Sequence, residues 1–140
     1  MAKVVIDANV IISAAYGGKP LEAVTQALEK HEVYLSESVR RELEQTFVKL
    51  SRKLSGEQIS FIQEKIGEIL AKAKCITVSA SVALSRDAAD DHYLGLCKEA
   101  KADFLITGDK DLLSISQEDL KKHGVSCLIL TARSFLESVF

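Results

Sequence analysis

Short apolar runs alternate with amphipathic stretches along the whole chain. The runs occupy residues 3–6, 33–35, 75–78, 104–107 and 126–130. Each is too short for a helix and is bounded by polar or turn-forming residues, so each reads as a buried strand. Between them the apolar positions return every three or four residues. Val39, Leu43, Phe47 and Leu50 form one helical stripe, and Ile59, Ile62, Ile66, Ile69 and Leu70 form another. The second and third helices bearing these stripes are expected to form a hairpin. Alternation of strands and helices implies parallel strands joined by helical crossovers, with helices on both faces. The expected fold class is α/β, a three-layer α/β/α sandwich around a mostly parallel five-stranded sheet.

Further signals mark where the helices begin and end. Residues 10–16 open as a helix that Gly17-Gly18 breaks, and Pro20 fits the first turn of a helix over 21–30. Ser36 or Ser38 caps the helix that follows the second strand. Helices are also expected from about residue 90 to Ala100, just after Asp109, over 118–123 and over 132–139.

At 140 residues the chain has room for one domain with a real core, expected over 1–140. One Pro and seven Gly leave little room for long linkers. No apolar run approaches the ~20 residues that span a bilayer. The N-terminus lacks a signal-peptide layout, so a cytoplasmic location without membrane contact is expected. Cys75, Cys97 and Cys127 are odd in number and free of motif spacing, and each sits in an apolar stretch. They read as reduced core residues rather than a disulfide framework or a zinc site. A net charge of −2 argues against a general nucleic-acid coat protein, though not against an enzyme with a local basic surface beside an acidic centre.

The acidic residues carry the chemistry. Val4-Val5-Ile6 ends abruptly in Asp7, which places that carboxylate at the carboxyl end of a strand. Open α/β sheets bind ligands at that edge. Asp109 follows the fourth strand in the same way. Asp87, Asp90 and Asp91 stand at the start of the helix preceding that strand, and Glu42 flanks the apolar stripe of the helix leaving the second strand. If strands one and four are adjacent, Asp7 and Asp109 become neighbours. Each acid alone reads equally well as a turn residue or helix cap. Together they would repel one another unless a divalent cation joined them, and oxygen-only donors suit Mg²⁺ or Mn²⁺.

Residues 4–10, Glu42-Leu43, Arg86-Asp87 with Asp90-Asp91, and Leu105-Ile106-Thr107-Gly108-Asp109-Lys110-Asp111-Leu112 together resemble the PIN domain, over almost the whole chain and in the right order. The resemblance is nearest to PIN proteins that serve as toxins of type II toxin–antitoxin systems. It implies a metal-dependent endoribonuclease that prefers single-stranded RNA. Asp7, Glu42, Asp90 or Asp91, and Asp109 would be the catalytic residues and would bind Mg²⁺ or Mn²⁺. Asn9, Thr107 and Asp87 would support them, with Asp111 as a looser member. The choice between Asp90 and Asp91 stays open. The family usually has Pro after the aspartate at position 87, and this chain has Ala88. The implied partners are an RNA substrate, a cognate antitoxin and, through the apolar helices, a second copy in a homodimer or higher oligomer.

Arg40, Arg41, Lys49, Arg52 and Lys53 form the densest basic stretch. It reads either as a solvated helix face interspersed with Glu37 and Glu44 or as a track for an RNA backbone, with Arg40, Arg41 and Lys49 as the candidates for RNA contact. Tyr16, Tyr34 and Tyr93 are the candidates for base stacking. His31, His92 and His123 are scattered without ligand spacing and read as surface or helix-end residues.

Other functions fit less well. A haloacid dehalogenase-type phosphatase needs a second Asp two residues after the first, where this chain has Asn9. A receiver-like module needs a lone Lys after a late strand, and Lys110 adjoins acids. A catalytically degenerate PIN fold that only binds RNA or protein is the remaining alternative.

Overall fold

The computed structural model of the chain describes residues 1–79, 82–84 and 90–138. Val4, Val5 and Ile6 are wholly buried, as expected of a strand covered on both faces. They belong to β1 (Lys3–Ile6), the centre of a five-stranded sheet ordered β3-β2-β1-β4-β5. The other strands are β2 (Glu32–Leu35), β3 (Lys74–Cys75), β4 (Phe104–Ile106) and β5 (Leu128–Leu130). Every pairing is parallel. β1 aligns Val5 with Tyr34 on one side and with Leu105 on the other.

Among the described residues, eight helices connect and cover these strands: α1 (Ala8–Ala14), α2 (Gly18–Lys30), α3 (Glu37–Ser51), α4 (Gly56–Lys72), α5 (Asp91–Ala100), α6 (Lys110–Leu113), α7 (Gln117–Lys122) and α8 (Ala132–Ser138). The chain builds outward from β1 through β2 to β3, then returns to place β4 on the far side of β1 and β5 beyond it. Right-handed crossovers therefore set α1–α4 on one face and α5–α7 on the other. α5 packs on β1, β2 and β4, and α8 returns to α2. This is the α/β sandwich expected of the alternating pattern. The direction of winding reverses between β1 and β4, so a crevice opens beyond their carboxyl ends.

Local chemistry explains the boundaries. Ser36, not Ser38, caps α3 by accepting from Val39 N at 3.2 Å. Ser55 and Gln58 form a reciprocal capping box on α4. Gly17 and Gly18 adopt φ of +89° and +71°, which lets the chain turn sharply between α1 and α2. β3 is shorter than the expected 75–78 run because β2 ends at Leu35, leaving only Lys74 and Cys75 a paired partner. β5 starts at Leu128 rather than Ser126, opposite Phe104.

The cysteines divide. Cys97 and Cys127 are buried as expected, but Cys75 is exposed on the edge strand. α3 and α4 flank a shared groove lined by Leu43, Phe47, Ile66 and Leu70. Among the described residues no helix is long and apolar enough to cross a membrane.

Candidate metal centre

Asp7 follows β1 directly and caps α1, its Oδ1 accepting from Asn9 N at 2.9 Å. Its backbone N–H still bonds Ile106 O at 2.9 Å, so the residue is tied to β4 as well as to its own strand. Only 3% of its surface is exposed. Burial raises its pKa and the nearby Glu42 charge adds to this, while hydrogen bonds from Thr107, Asn9 and Tyr93 oppose it.

Thr107 holds the equivalent place after β4 and is wholly buried. Its hydroxyl donates to Asp7 Oδ2 at 2.7 Å and accepts from Asp109 N at 3.0 Å. Asp109 in turn caps α6, with Oδ1 accepting from Asp111 N at 2.8 Å and Leu112 N at 3.2 Å. One threonine thus links the two strand-terminal aspartates across the point where the winding reverses.

Carboxylate oxygens of Asp90, Asp109 and Asp111 lie within 4.8 Å of one another, all half-buried. Asp90 stands just before α5, and Asp91 is its first residue. Their side chains part: Asp91 Oδ1 accepts from Leu84 N at 3.1 Å, while Asp90 joins the trio. Asp87, and with it the departure at Ala88, lies outside the described residues.

Glu42 reaches the same edge from α3. Its Oε2 accepts from Tyr93 Oη at 2.9 Å and from His92 Nε2 at 2.9 Å. The histidine bond, followed by the tyrosine one, holds the Glu42 carboxyl below its ordinary pKa against the effect of its burial. Asp7 and Glu42 lie outside the Asp90–Asp109–Asp111 trio but meet at Tyr93, whose hydroxyl is 3.3 Å from Asp7 Oδ1. Burial, with the two negative charges, pushes the Tyr93 phenol far above its usual pKa, so it remains a proton donor.

A cleft of about 450 Å³ opens beside these groups, its lining including Asp7, Asn9, Thr107, Gly108, Asp109 and Thr131. Asn9 is exposed at its rim. The donor set fits a hard divalent ion. Oxygens that bind one Mg²⁺ at about 2.0–2.1 Å stand at most roughly twice that apart, so small rotations bring the trio into range.

The basic residues lie along α3. Arg40, Arg41 and Lys49 are exposed, with Arg41 Nε 3.8 Å from Glu37 and Arg40 Nε 4.0 Å from Glu44. Tyr16 is 58% exposed, whereas Tyr93 is wholly buried, which removes it as a stacking surface. Tyr34 is half-buried and donates to Glu32 at 2.9 Å.

The PIN-domain family profile matches residues 3–111. The chain belongs to the PIN-domain family. An uncharacterized protein of Methanocaldococcus jannaschii is 33% identical over 146 residues, covering 96% of this chain and 90% of the relative. Among solved structures, VapBC2 from Rickettsia felis, bound to a DNA fragment from its promoter, superposes with a TM-score of 0.57. The identity is 13%, with 91% of this chain and 98% of the other covered. A domain of a functionally unknown M. jannaschii protein superposes with a TM-score of 0.56 at 18% identity, covering 93% and 91%.

Two residues of this PIN domain's acidic edge escaped the reading of its sequence. His92 reads there as a surface or helix-end residue and Tyr93 as a stacking aromatic, yet both bond Glu42. A signal was present. Tyr93 opens the apolar run Tyr93-Leu94-Gly95-Leu96-Cys97, and a buried phenol must find a polar partner. The nearest candidates are the acids gathered at that helix start.

Proposed function

We propose that this PIN domain is a metal-dependent endoribonuclease that hydrolyses phosphodiester bonds of single-stranded RNA, acting as the toxin of a toxin–antitoxin pair. The observation that carries the proposal is the convergence of Asp7, Glu42, Asp90, Asp109 and Asp111 on one edge of the sheet, beside an open cleft. Asp90, Asp109 and Asp111 would hold Mg²⁺ or Mn²⁺, with Asp7 and Glu42 completing the donor set. Asp90 is preferred to Asp91, whose carboxylate is engaged by Leu84 N. When bound, such an ion acidifies water and neutralises charge on a phosphate, the two needs of phosphodiester hydrolysis.

The remaining residues have definable tasks. Thr107 orients Asp7 and steadies the loop that carries Asp109. Asn9 offers a neutral amide at the rim of the cleft. Arg40, Arg41 and Lys49 supply positive charge along α3 for an RNA backbone. The toxin role is supported by the ordered motif set of the PIN toxins and by the likeness of fold to VapBC2. An antitoxin would inhibit by occupying the acidic edge.

The test is cleavage of end-labelled single-stranded RNA in Mg²⁺ or Mn²⁺. Cleavage should stop with EDTA and in Asp7→Asn. RNA binding without turnover in either metal would instead identify a degenerate binding module.

A further inference from the structure

We infer that Tyr93 is a positioning residue for metal loading: its single hydroxyl fixes Asp7 and Glu42 relative to one another before an ion arrives. The inference rests on the metal-dependent reading of the acidic edge. Its first support is the number of groups around one atom. Tyr93 Oη accepts from Ala8 N at 2.9 Å and faces Glu42 Oε2 at 2.9 Å and Asp7 Oδ1 at 3.3 Å. A phenol has one proton to give. The Ala8 N–H occupies the acceptor side of the oxygen and turns that proton into the gap between the two carboxylates. The proton bridges both in a three-centre bond, closer to Glu42, and Asp7 also accepts from Thr107 Oγ1 and Asn9 N.

The second support is which oxygens remain. His92 packs on the Tyr93 ring with centroids 4.1 Å apart and bonds the same Glu42 Oε2 at 2.9 Å. Both donors therefore load one oxygen of Glu42. Among the described residues, Oε1 takes no hydrogen bond and is the atom left for an ion. Because the ring of Tyr93 is wholly buried, the hydroxyl cannot swing away, and α5 is locked to the start of α1. Donors that orient the ligands of an ion in this way typically change affinity by about 10–100-fold when removed.

The experiment measures binding of Mn²⁺ alone by electron paramagnetic resonance, with folding checked by circular dichroism. Wild type is compared with Tyr93→Phe and with Ile69→Val, a buried change in α4, a helix that carries none of these acids, which mimics a modest loss of stability. Mn²⁺ affinity should fall about 10–100-fold in Tyr93→Phe and stay at the wild-type value in Ile69→Val. Equal affinity in wild type and Tyr93→Phe overturns the role of Tyr93 and leaves the metal reading standing. An absence of Mn²⁺ binding by wild type overturns both. Should Tyr93→Phe fail to fold, wild type carrying ¹³Cζ-tyrosine decides the matter. The chain has three tyrosines, and Mg²⁺ should move the Tyr93 resonance while Tyr16 and Tyr34 stay in place. A static Tyr93 resonance while calorimetry registers Mg²⁺ binding overturns the inference.

Discussion

Thr107 Oγ1 lies 2.7 Å from Asp7 Oδ2, a bond between residues 100 positions apart that ties the end of β4 to the end of β1. The same oxygen accepts from Asp109 N. Thr107→Val keeps the shape but strips both contacts, leaving a buried carboxylate oxygen and a backbone N–H short of partners. The expected loss is about 1–3 kcal/mol in urea unfolding. Thr107→Ser should recover most of it. A valine variant as stable as wild type would show that the hydroxyl contributes nothing.

Asp7 opposes the fold that holds it. Its folded pKa is raised above the ordinary 3.8, so the native state binds more protons than the unfolded chain between those two values. Stability consequently falls as pH rises through that window, and the loss is complete above the raised value. Asp7→Asn escapes it. The metal-free variant should melt above wild type at neutral pH, with the gain vanishing below pH 3.8, as thermal scans across pH will show. Glu42 has the opposite sign. Its pKa is lowered, so its contribution is present above 4.5 and is lost as pH falls through the lower folded value.

Asp109 serves two purposes that substitution separates. Its carboxylate caps α6 through Asp111 N and Leu112 N and also belongs to the acidic trio. Asp109→Asn keeps an oxygen for the cap and removes the charge. Its melting temperature should stay near that of wild type while Mn²⁺ binding collapses. Asp109→Ala loses the cap as well, about 1 kcal/mol. Paired melting and Mn²⁺ titration of the two variants checks this.

Replacing Arg40, Arg41 and Lys49 together by Ala should alter RNA affinity much more than stability. Their ion pairs are exposed contacts between residues four apart, worth about 0.3–0.5 kcal/mol each at most. If all three face RNA phosphates, the slope of log affinity against log salt becomes shallower by roughly 2 for a single strand. An unchanged slope in a filter-binding titration would remove α3 from the RNA path.

Much of this architecture is legible in the residue pattern because parallel strands buried on both faces leave a strong mark. Val4-Val5-Ile6 and Leu105-Ile106 admit few other readings, and the two-sided burial they suggest is what the sheet provides. The adjacency of β1 and β4, on which the meeting of Asp7 and Asp109 depends, is a property of winding order and is not written in either strand. Side-chain direction was harder to foresee. Neighbouring residues of a helix point about 100° apart, so Asp90 and Asp91 could be told apart only once α5 was placed. Tyr93 shows the same limit: an aromatic beside acids reads as a surface for bases until its hydroxyl is found beneath them. Cys75 misled for a related reason, since an apolar neighbourhood in sequence does not reveal that a strand lies at the sheet edge.

The most direct test is crystallographic: Mn²⁺ is soaked into crystals of the metal-free protein and located by its anomalous scattering. The account predicts a peak at the carboxyl ends of β1 and β4, within about 2.0–2.2 Å of oxygens from Asp109 and Asp90, with Asp7 or Glu42 facing it. A peak elsewhere on the surface, or none at Mn²⁺ concentrations that support RNA cleavage, would contradict it.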